Sequence, residues 1–354
     1  MKKTAKTVIC AVLAMGVLAG CGGGKIDRTQ PAITVDDETV SLGEAEFYLR
    51  AQQAETQKMM EMYGFMSGTE FWDQSTTEED GTATTYGEQI KNSIRDELAQ
   101  YLLLRRHAAD YDLEMPEAVS EAAAEAAKNI YESNADVLEE LGTTEEEIQD
   151  VLVLSAYPEL MKDAMTADVD LEVSDEEAAQ CRVIYMRIRE IETDEDGNET
   201  EASKETIEAY RASLEQLLAD IQEAGEVDED KIRELANAID EEHIMVGSTS
   251  YGKEDQFLPE EVTSAAETLQ DGETYGEVIE TSEGYLYLVH MVSTLDRDAT
   301  DTEKQSIVSQ RQQEAYDAIV QEWMDAAEIS TGENWDSLTV KDSEPWKATT
   351  AEAP

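Results

Sequence analysis

Two runs constrain this chain most. They are Cys181-Arg182-Val183-Ile184-Tyr185-Met186-Arg187-Ile188 and Gly284-Tyr285-Leu286-Tyr287-Leu288-Val289-His290-Met291-Val292. Both are rich in β-branched and aromatic residues, which fit a pleated, half-buried surface, so both read as strands. The residues between them follow another rule. Ile207, Tyr210, Leu214, Leu217, Leu218 and Ile221 recur at spacings of three and four, as an amphipathic helix requires. After a break at Gly225, Ile232, Leu235, Ala236 and Ile239 repeat the pattern. The stretch from Cys181 to Val292 is therefore one small α/β module, set between two helical segments.

The segment before the module opens with an extended entry or short β-ribbon over Ile33 to Leu42. Ser41 and Glu44 form a capping box for the helix that follows. That helix carries Phe47, Tyr48 and Leu49, then Met59, Met60, Met62, Tyr63, Phe65 and Met66. Methionine is flexible and polarisable, and it recurs on surfaces that accept varied apolar partners. Phe47, Met59, Met62, Phe65 and Met66 are thus candidates for a polypeptide-binding face, with plain core packing as the alternative. Ser67 to Gly87 reads as a polar loop. Tyr86 to Tyr111 reads as a helix with the stripe Ile90, Ile94, Leu98, Tyr101, Leu102 and Ala109. Arg105, Arg106 and His107 sit near its end, where positive charge complements the helix dipole. Met115-Pro116 breaks the chain before an alanine-rich helix. Thr144-Glu145-Glu146-Glu147 and Ser174-Asp175-Glu176-Glu177 read as capping boxes.

After the module, Asp301-Thr302-Glu303 opens a last long helix with the stripe Tyr316, Ile319, Val320, Trp323, Met324 and Ala327. Such a helix must bury its apolar face, and the nearest partners are the helices before residue 175. The two flanks are therefore expected to pack into one helical domain that carries the module as an insertion. Trp335 is expected to be ordered and the end of the tail, with Trp346, to fray.

The first residues carry an address. Lys2, Lys3 and Lys6 precede the apolar run Val8 to Gly20, which is shorter than the ~20 residues of a spanning helix. The run ends in Val17-Leu18-Ala19-Gly20-Cys21, which resembles the bacterial lipobox, in which the enzyme cuts before the Cys and a diacylglycerol is attached to its thiol. This implies lipid attachment at Cys21, a membrane contact through acyl chains worth ~0.8 kcal/mol per buried CH₂, and a place on the extracytoplasmic face. Gly22-Gly23-Gly24 would be the tether. With Cys10 in the signal and Cys21 lipidated, Cys181 stands alone and no internal disulfide is expected.

Charge narrows the partners. The 354 residues hold 82 Asp and Glu against 26 Lys and Arg, a formal net charge of −56. Such a surface excludes nucleic acid, which needs basic residues to neutralise phosphate. It also opposes electrostatic adsorption to anionic lipid, and it favours basic or apolar segments as partners. With 41% hydrophobic residues in periodic patterns, disorder is rejected for most of the chain. The loop Glu192 to Glu199 fails as a calcium-binding EF-hand, because the twelfth position is Ser203 rather than Glu. No metal cluster, phosphate-binding glycine loop or Ser/His/Asp signature is present, so neither a metal nor another cofactor is expected.

The order of landmarks in the module resembles a parvulin-type peptidyl-prolyl isomerase domain, on Leu269-Gln270-Asp271-Gly272-Glu273 followed by Thr281-Ser282-Glu283-Gly284-Tyr285. The match covers about a third of the chain. With helical flanks behind a lipoprotein signal, the whole is similar to the PrsA-type extracytoplasmic foldases and, further off, to the SurA-type periplasmic chaperones. The resemblance implies an α+β fold: a helical chaperone domain built from both flanks, with an inserted module made of a small antiparallel sheet and helices. The expected boundaries are a signal at 1–20, the lipidated Cys and tether at 21–32, helical domain at 33–178, module at 179–296, returning helix at 297–340 and tail at 341–354. The implied clients are unfolded secreted polypeptides, and a homodimer is compatible with the reading.

The same resemblance places the isomerase site. Active parvulins carry one histidine on the first strand and one on the last, a nearby Cys or Asp, and a Met and a Phe lining the proline pocket. Those positions fall on Val183, Leu286, Glu242, Leu258 and Val262, and the threonine before the glycine is kept as Thr281. Phospho-specific members carry basic residues where this chain has an acidic loop. His290 is four residues beyond Leu286, ~13 Å along a strand, too far to substitute. His243 adjoins Glu242 and reads as an exposed loop residue. Two apolar residues in place of two imidazoles imply a degenerate site with weak or no isomerase activity. The alternatives are an active isomerase using Glu242 and Thr281, a solute-binding lipoprotein, against which the helix-only flanks argue, and a structural surface lipoprotein.

Overall fold

The computed structural model describes residues 27–63, 69–78, 81–193 and 199–340. The chain divides into two units, residues 1–165 with 319–354 and residues 166–318. The first is built from both ends of the chain and the second from its middle.

The first unit starts with the ribbon β1 (Pro31–Val35) and β2 (Glu38–Ser41), joined through Asp36 at φ 53°. Helix α1 (Leu42–Met62) follows at once. Its capping box is formed: the Glu44 amide donates to Ser41 Oγ at 3.2 Å and the Ser41 amide donates to the Glu44 carboxylate at 2.5 Å. The stretch expected as a plain loop holds more structure. It contains α2 (Thr69–Trp72) and a hairpin of β3 (Ser75–Thr77) and β4 (Ala83–Thr85). The buried Trp72 anchors it, and β-branched threonines supply the short strands. Thr85 then caps α3 (Tyr86–His107). Arg105 pairs with Glu38, and Arg106 with Asp36 and Asp37, which ties the helix end to the ribbon. His107 stacks on Trp323 with ring centroids 4.1 Å apart.

Pro116 stands at the N-cap of α4 (Glu117–Ser133), and α5 (Ala135–Leu141) ends at Gly142 in the left-handed conformation, φ 76°. Thr144 and Glu147 form the expected capping box of α6 (Glu145–Leu154). The break in this region falls before Pro158, which sits in the first turn of α7 (Tyr157–Met165), where its missing N–H is harmless.

The second unit holds a four-stranded antiparallel sheet. Its first strand is β5 (Cys181–Arg189), followed by a small hairpin of β6 (Ile191–Thr193) and β7 (Glu199–Glu201). Ser203 caps α8 (Lys204–Ala224) and Asp228 caps α9 (Glu229–Asp240). Then come β8 (Met245–Tyr251), α10 (Glu260–Ala266), β9 (Ile279–Glu280) and β10 (Tyr285–Ser293). The strand order is β8-β5-β10-β9. The second expected capping box makes only a single turn, in which the Glu177 amide donates to Ser174 Oγ.

Helix α11 (Arg297–Ala326) begins a turn earlier than expected, because Asp296 accepts from the Ala299 amide and serves as the cap. Its first part is held within the second unit: Arg297 and Lys304 both reach Asp175, and Arg311 reaches Glu177. The end of the helix returns to the first unit. There β11 (Ile329–Thr331) pairs with β1 to give the sheet β11-β1-β2, and Trp335 and Leu338 join a core with Leu98, Leu102 and Ile148. Among the described residues no helix is long and apolar enough to cross a membrane.

Candidate functional site

Side chains alternate across a strand, so the register of β5 and β10 decides what each face of the second unit's sheet presents. Ile184, Met186 and Ile188 lie with Leu286 and Leu288 on one face, packed against Leu214, Leu217 and Ile221 of α8 and Ile232 and Ala236 of α9. Val183, Tyr287, Val289 and Met291 lie on the other, packed against Val262, Ala265 and Ala266 of α10.

This sorting separates the residues expected to form an isomerase site. Val183, Leu258 and Val262 do share a face, the one under α10, but as its packed core. Val183 and Val262 are each 0% exposed. Leu286 is also 0% exposed and belongs to the opposite face. The residue across from Val183 on β10 is Met291. Glu242 is exposed in the turn after α9, where its charge acts on Tyr210, a member of the α8 side. Thr281 closes the β9–β10 turn. Its hydroxyl donates to the Tyr285 carbonyl and accepts from the Tyr285 amide, both at 3.2 Å, opposite Gly284 at φ 78°. That hydroxyl is committed to the backbone. Neither histidine near these positions substitutes for the missing pair. His243 is bonded to Asp240, and His290 is buried on the α8 face with Nδ1 2.8 Å from the Thr274 hydroxyl.

What the α10 face leaves partly open is a band of tyrosines around an arginine. Tyr185 and Arg187 on β5 and Tyr285 on β10 are half-buried, beside the buried Tyr287. Arg187 stands directly across from Tyr287 on one side and Met245 on the other. Its guanidinium lies 5.3 Å from the Tyr285 ring centroid and 5.8 Å from that of Tyr185, within cation–π range. Nη1 donates to the Tyr287 hydroxyl at 3.4 Å, and Nη2 lies 3.3 Å from Met245 Sδ. The hydrogen bond to Tyr287 raises the pKa of Arg187 from its ordinary value, against the effect of burial. Tyr185 is laid over Gly247, its register partner: a Cβ there would stand 2.5 Å from the Tyr185 hydroxyl. The missing side chain makes room for the ring. These residues were not expected as site residues. The signal was in the alternation Val183, Tyr185, Arg187 facing Tyr285, Tyr287, Val289, readable only once the register is known.

In the first unit, Phe47 is 2% exposed and part of the core, so its ring supplies packing and not a surface. Met59 and Met62 are 52% and 72% exposed on the last turns of α1. Phe65, Met66 and Cys21 lie outside the described residues. Among the described residues no three His, Cys, Asp or Glu side chains are placed to hold a metal ion.

No family model matches the sequence, and no curated protein matches it. Solved structures do. The foldase protein PrsA of Streptococcus pneumoniae is 17% identical, with 72% of this chain and 93% of that one covered at a TM-score of 0.29. The peptidylprolyl isomerase PrsA of Bacillus cereus is 13% identical, with coverages of 76% and 97% and a TM-score of 0.30. That of Bacillus anthracis is 14% identical, with coverages of 65% and 95% and a TM-score of 0.25.

Proposed function

We propose that this chain is a lipid-anchored extracytoplasmic foldase, of the PrsA and SurA kind, which binds unfolded secreted polypeptides and has little or no prolyl isomerase activity. The reading draws its cellular place from the lipobox at Cys21 and its class from the parvulin-like motifs at 269–273 and 281–285. The observation that carries it is the state of the α10 face. The expected site positions that fall on it, Val183, Leu258 and Val262, are buried aliphatic side chains, while a tyrosine band beside them stays partly open.

Isomerisation requires rotation of an amide past ~18–20 kcal/mol. A catalyst must supply polar groups that stabilise the twisted amide better than the planar one. Val183 and Leu286 supply none, and they point away from each other. A tyrosine-lined strand surface can still hold an extended chain, since rigid amphipathic rings give contact area at small entropic cost. Exposed methionines on α1 add a second adaptable surface.

Two measurements on the chain from Gly22 onward test this. In a protease-free assay with an Xaa-Pro tetrapeptide, the tens-of-seconds uncatalysed rate should be unchanged. In light scattering of a reduced, aggregating secreted protein, substoichiometric chain should suppress the signal. Clear acceleration in the first assay would show an active isomerase, and no suppression in the second would remove the chaperone reading.

A further inference from the structure

Among the described residues Arg187 has no carboxylate partner, in a chain with 82 acidic residues. Its contacts are a tyrosine hydroxyl, a thioether and two ring faces. Arg189, two residues on in β5, pairs by contrast with Glu199, and Arg211 on α8 pairs with Glu280. A guanidinium presents a planar fork of N–H donors that matches a carboxylate bidentately. Here two donors face weak acceptors, and among the described residues the Nε–H and the second N–H on each terminal nitrogen have no hydrogen-bond partner. The Tyr185 and Tyr285 rings, 5.8 and 5.3 Å from the guanidinium, and the Tyr287 hydroxyl hold the fork in place, which lowers the rotamer freedom to be lost on binding. Met245, 54% exposed, extends the band with an apolar surface at the sheet edge.

We infer that this tyrosine-framed arginine is a carboxylate-recognition subsite for the bound polypeptide, taking an acidic side chain or a chain terminus with an apolar residue beside it on the tyrosines. The inference rests on the polypeptide-binding reading and sharpens it, because the charge of the whole chain alone would select basic segments. The two effects differ in reach. Repulsion from exposed carboxylates is screened over about 8 Å at physiological salt, whereas a bidentate pair on a half-buried fork is a contact interaction that survives added salt better.

The test uses the full chain and fluorescent peptides read by anisotropy. One pair is Phe-Asp-Phe against Phe-Asn-Phe, both amidated at the C-terminus. A second pair is Phe-Ala-Phe as free acid against its amide, which separates the terminal carboxylate from the side-chain source. At least one acidic member should bind about tenfold more tightly than its neutral partner, the scale of a charge-assisted hydrogen-bonded pair. Arg187→Gln should remove that difference between acidic and neutral peptides. Arg187→Lys, which keeps the charge and loses the fork, should retain about a third of the gain or less. Equal binding of acidic and neutral peptides, a preference for a Phe-Lys-Phe peptide, or a preference that survives Arg187→Gln would each overturn the subsite alone. Failure of the chain to bind any of the peptides would overturn the polypeptide-binding reading with it.

Discussion

The two faces of the second unit's sheet come from the same two strands and share almost nothing. On the α8–α9 face the side chains from β5 and β10 are the buried Ile184, Met186, Ile188, Leu286 and Leu288, with one polar member, the buried His290. Two helices of 21 and 12 residues cover it. On the other face the covering helix has seven residues. It seals Val183, Val289 and Met291 and leaves Tyr185, Arg187 and Tyr285 half-exposed. One face is committed to stability. The other is stable at one end and adjustable at the other. A position on the first face therefore cannot serve a ligand on the second, whatever its place in a motif.

That contrast is broken most directly by truncation. Leu214→Ala or Leu288→Ala should lower the unfolding free energy by about 2–5 kcal/mol, the cost of transfer plus cavity at a site with no exposed area. Tyr285→Ala should cost about 1 kcal/mol or less, since a half-exposed ring loses only part of its contacts. Urea midpoints at constant m-value would compare the two. Similar losses would mean that the tyrosine face is core as well.

A second test restores the imidazoles. Leu286→His and Val183→His each place a polar ring in a sealed apolar layer, at about 1–3 kcal/mol. The double variant should show no more isomerase activity than the unsubstituted chain, because the two rings would lie on opposite sides of the sheet. If it accelerates Xaa-Pro rotation, the separation of these two positions is wrong, and the adjustable face extends further than the packing suggests.

These pairs also mark how far the sequence can be read. β5, β10, the ribbon at 33–42, α8, α9, the capping boxes at Ser41 and Thr144 and the order near Trp335 were legible, because period and cap chemistry are local. Register is not local. Thr281-Ser282-Glu283-Gly284-Tyr285 fixes where a turn lies, and it leaves open which way Leu286 points, since shifting a strand by one residue reverses its faces. The role of Gly247 as the floor beneath Tyr185 depends on a partner 62 positions away in sequence (247 − 185) that only pairing identifies. Phe47, Met59 and Met62 were legible as apolar and helical. Which of them is core depends on neighbours supplied by the other end of the chain. The hairpin at 75–85 was missed because threonine-rich polar runs read as loops until a buried tryptophan pins them.

A subtler difference between the faces is electrostatic. His290, on the α8 side, is buried beside Thr274, and burial holds its pKa below the ordinary value of about 6.5. The unfolded chain therefore binds more protons than the folded one in the interval below that value. Stability contributed by the neutral ring is full above about pH 6.5 and is lost as pH falls toward the folded pKa. His290→Gln should flatten the acid side of the stability profile between pH 7 and 5. An unchanged slope would place the titration elsewhere.

The smallest expected effect is the most discriminating. Arg187→Met keeps the length and apolar stem of the side chain and removes the charge. If the guanidinium serves a ligand, its loss should change folding stability by only about 0.5–1 kcal/mol, the scale of a cation–π contact at a partly exposed site. The change should hardly vary between low and high salt, because among the described residues no carboxylate partner is lost with it. Arg189→Met, which gives up the exposed pair with Glu199, should be equally mild but salt-sensitive. A loss of 2 kcal/mol or more at Arg187 would mean that the tyrosines need the cation to stay packed. The open end of the face would then be a second core, built around a charge in place of a leucine.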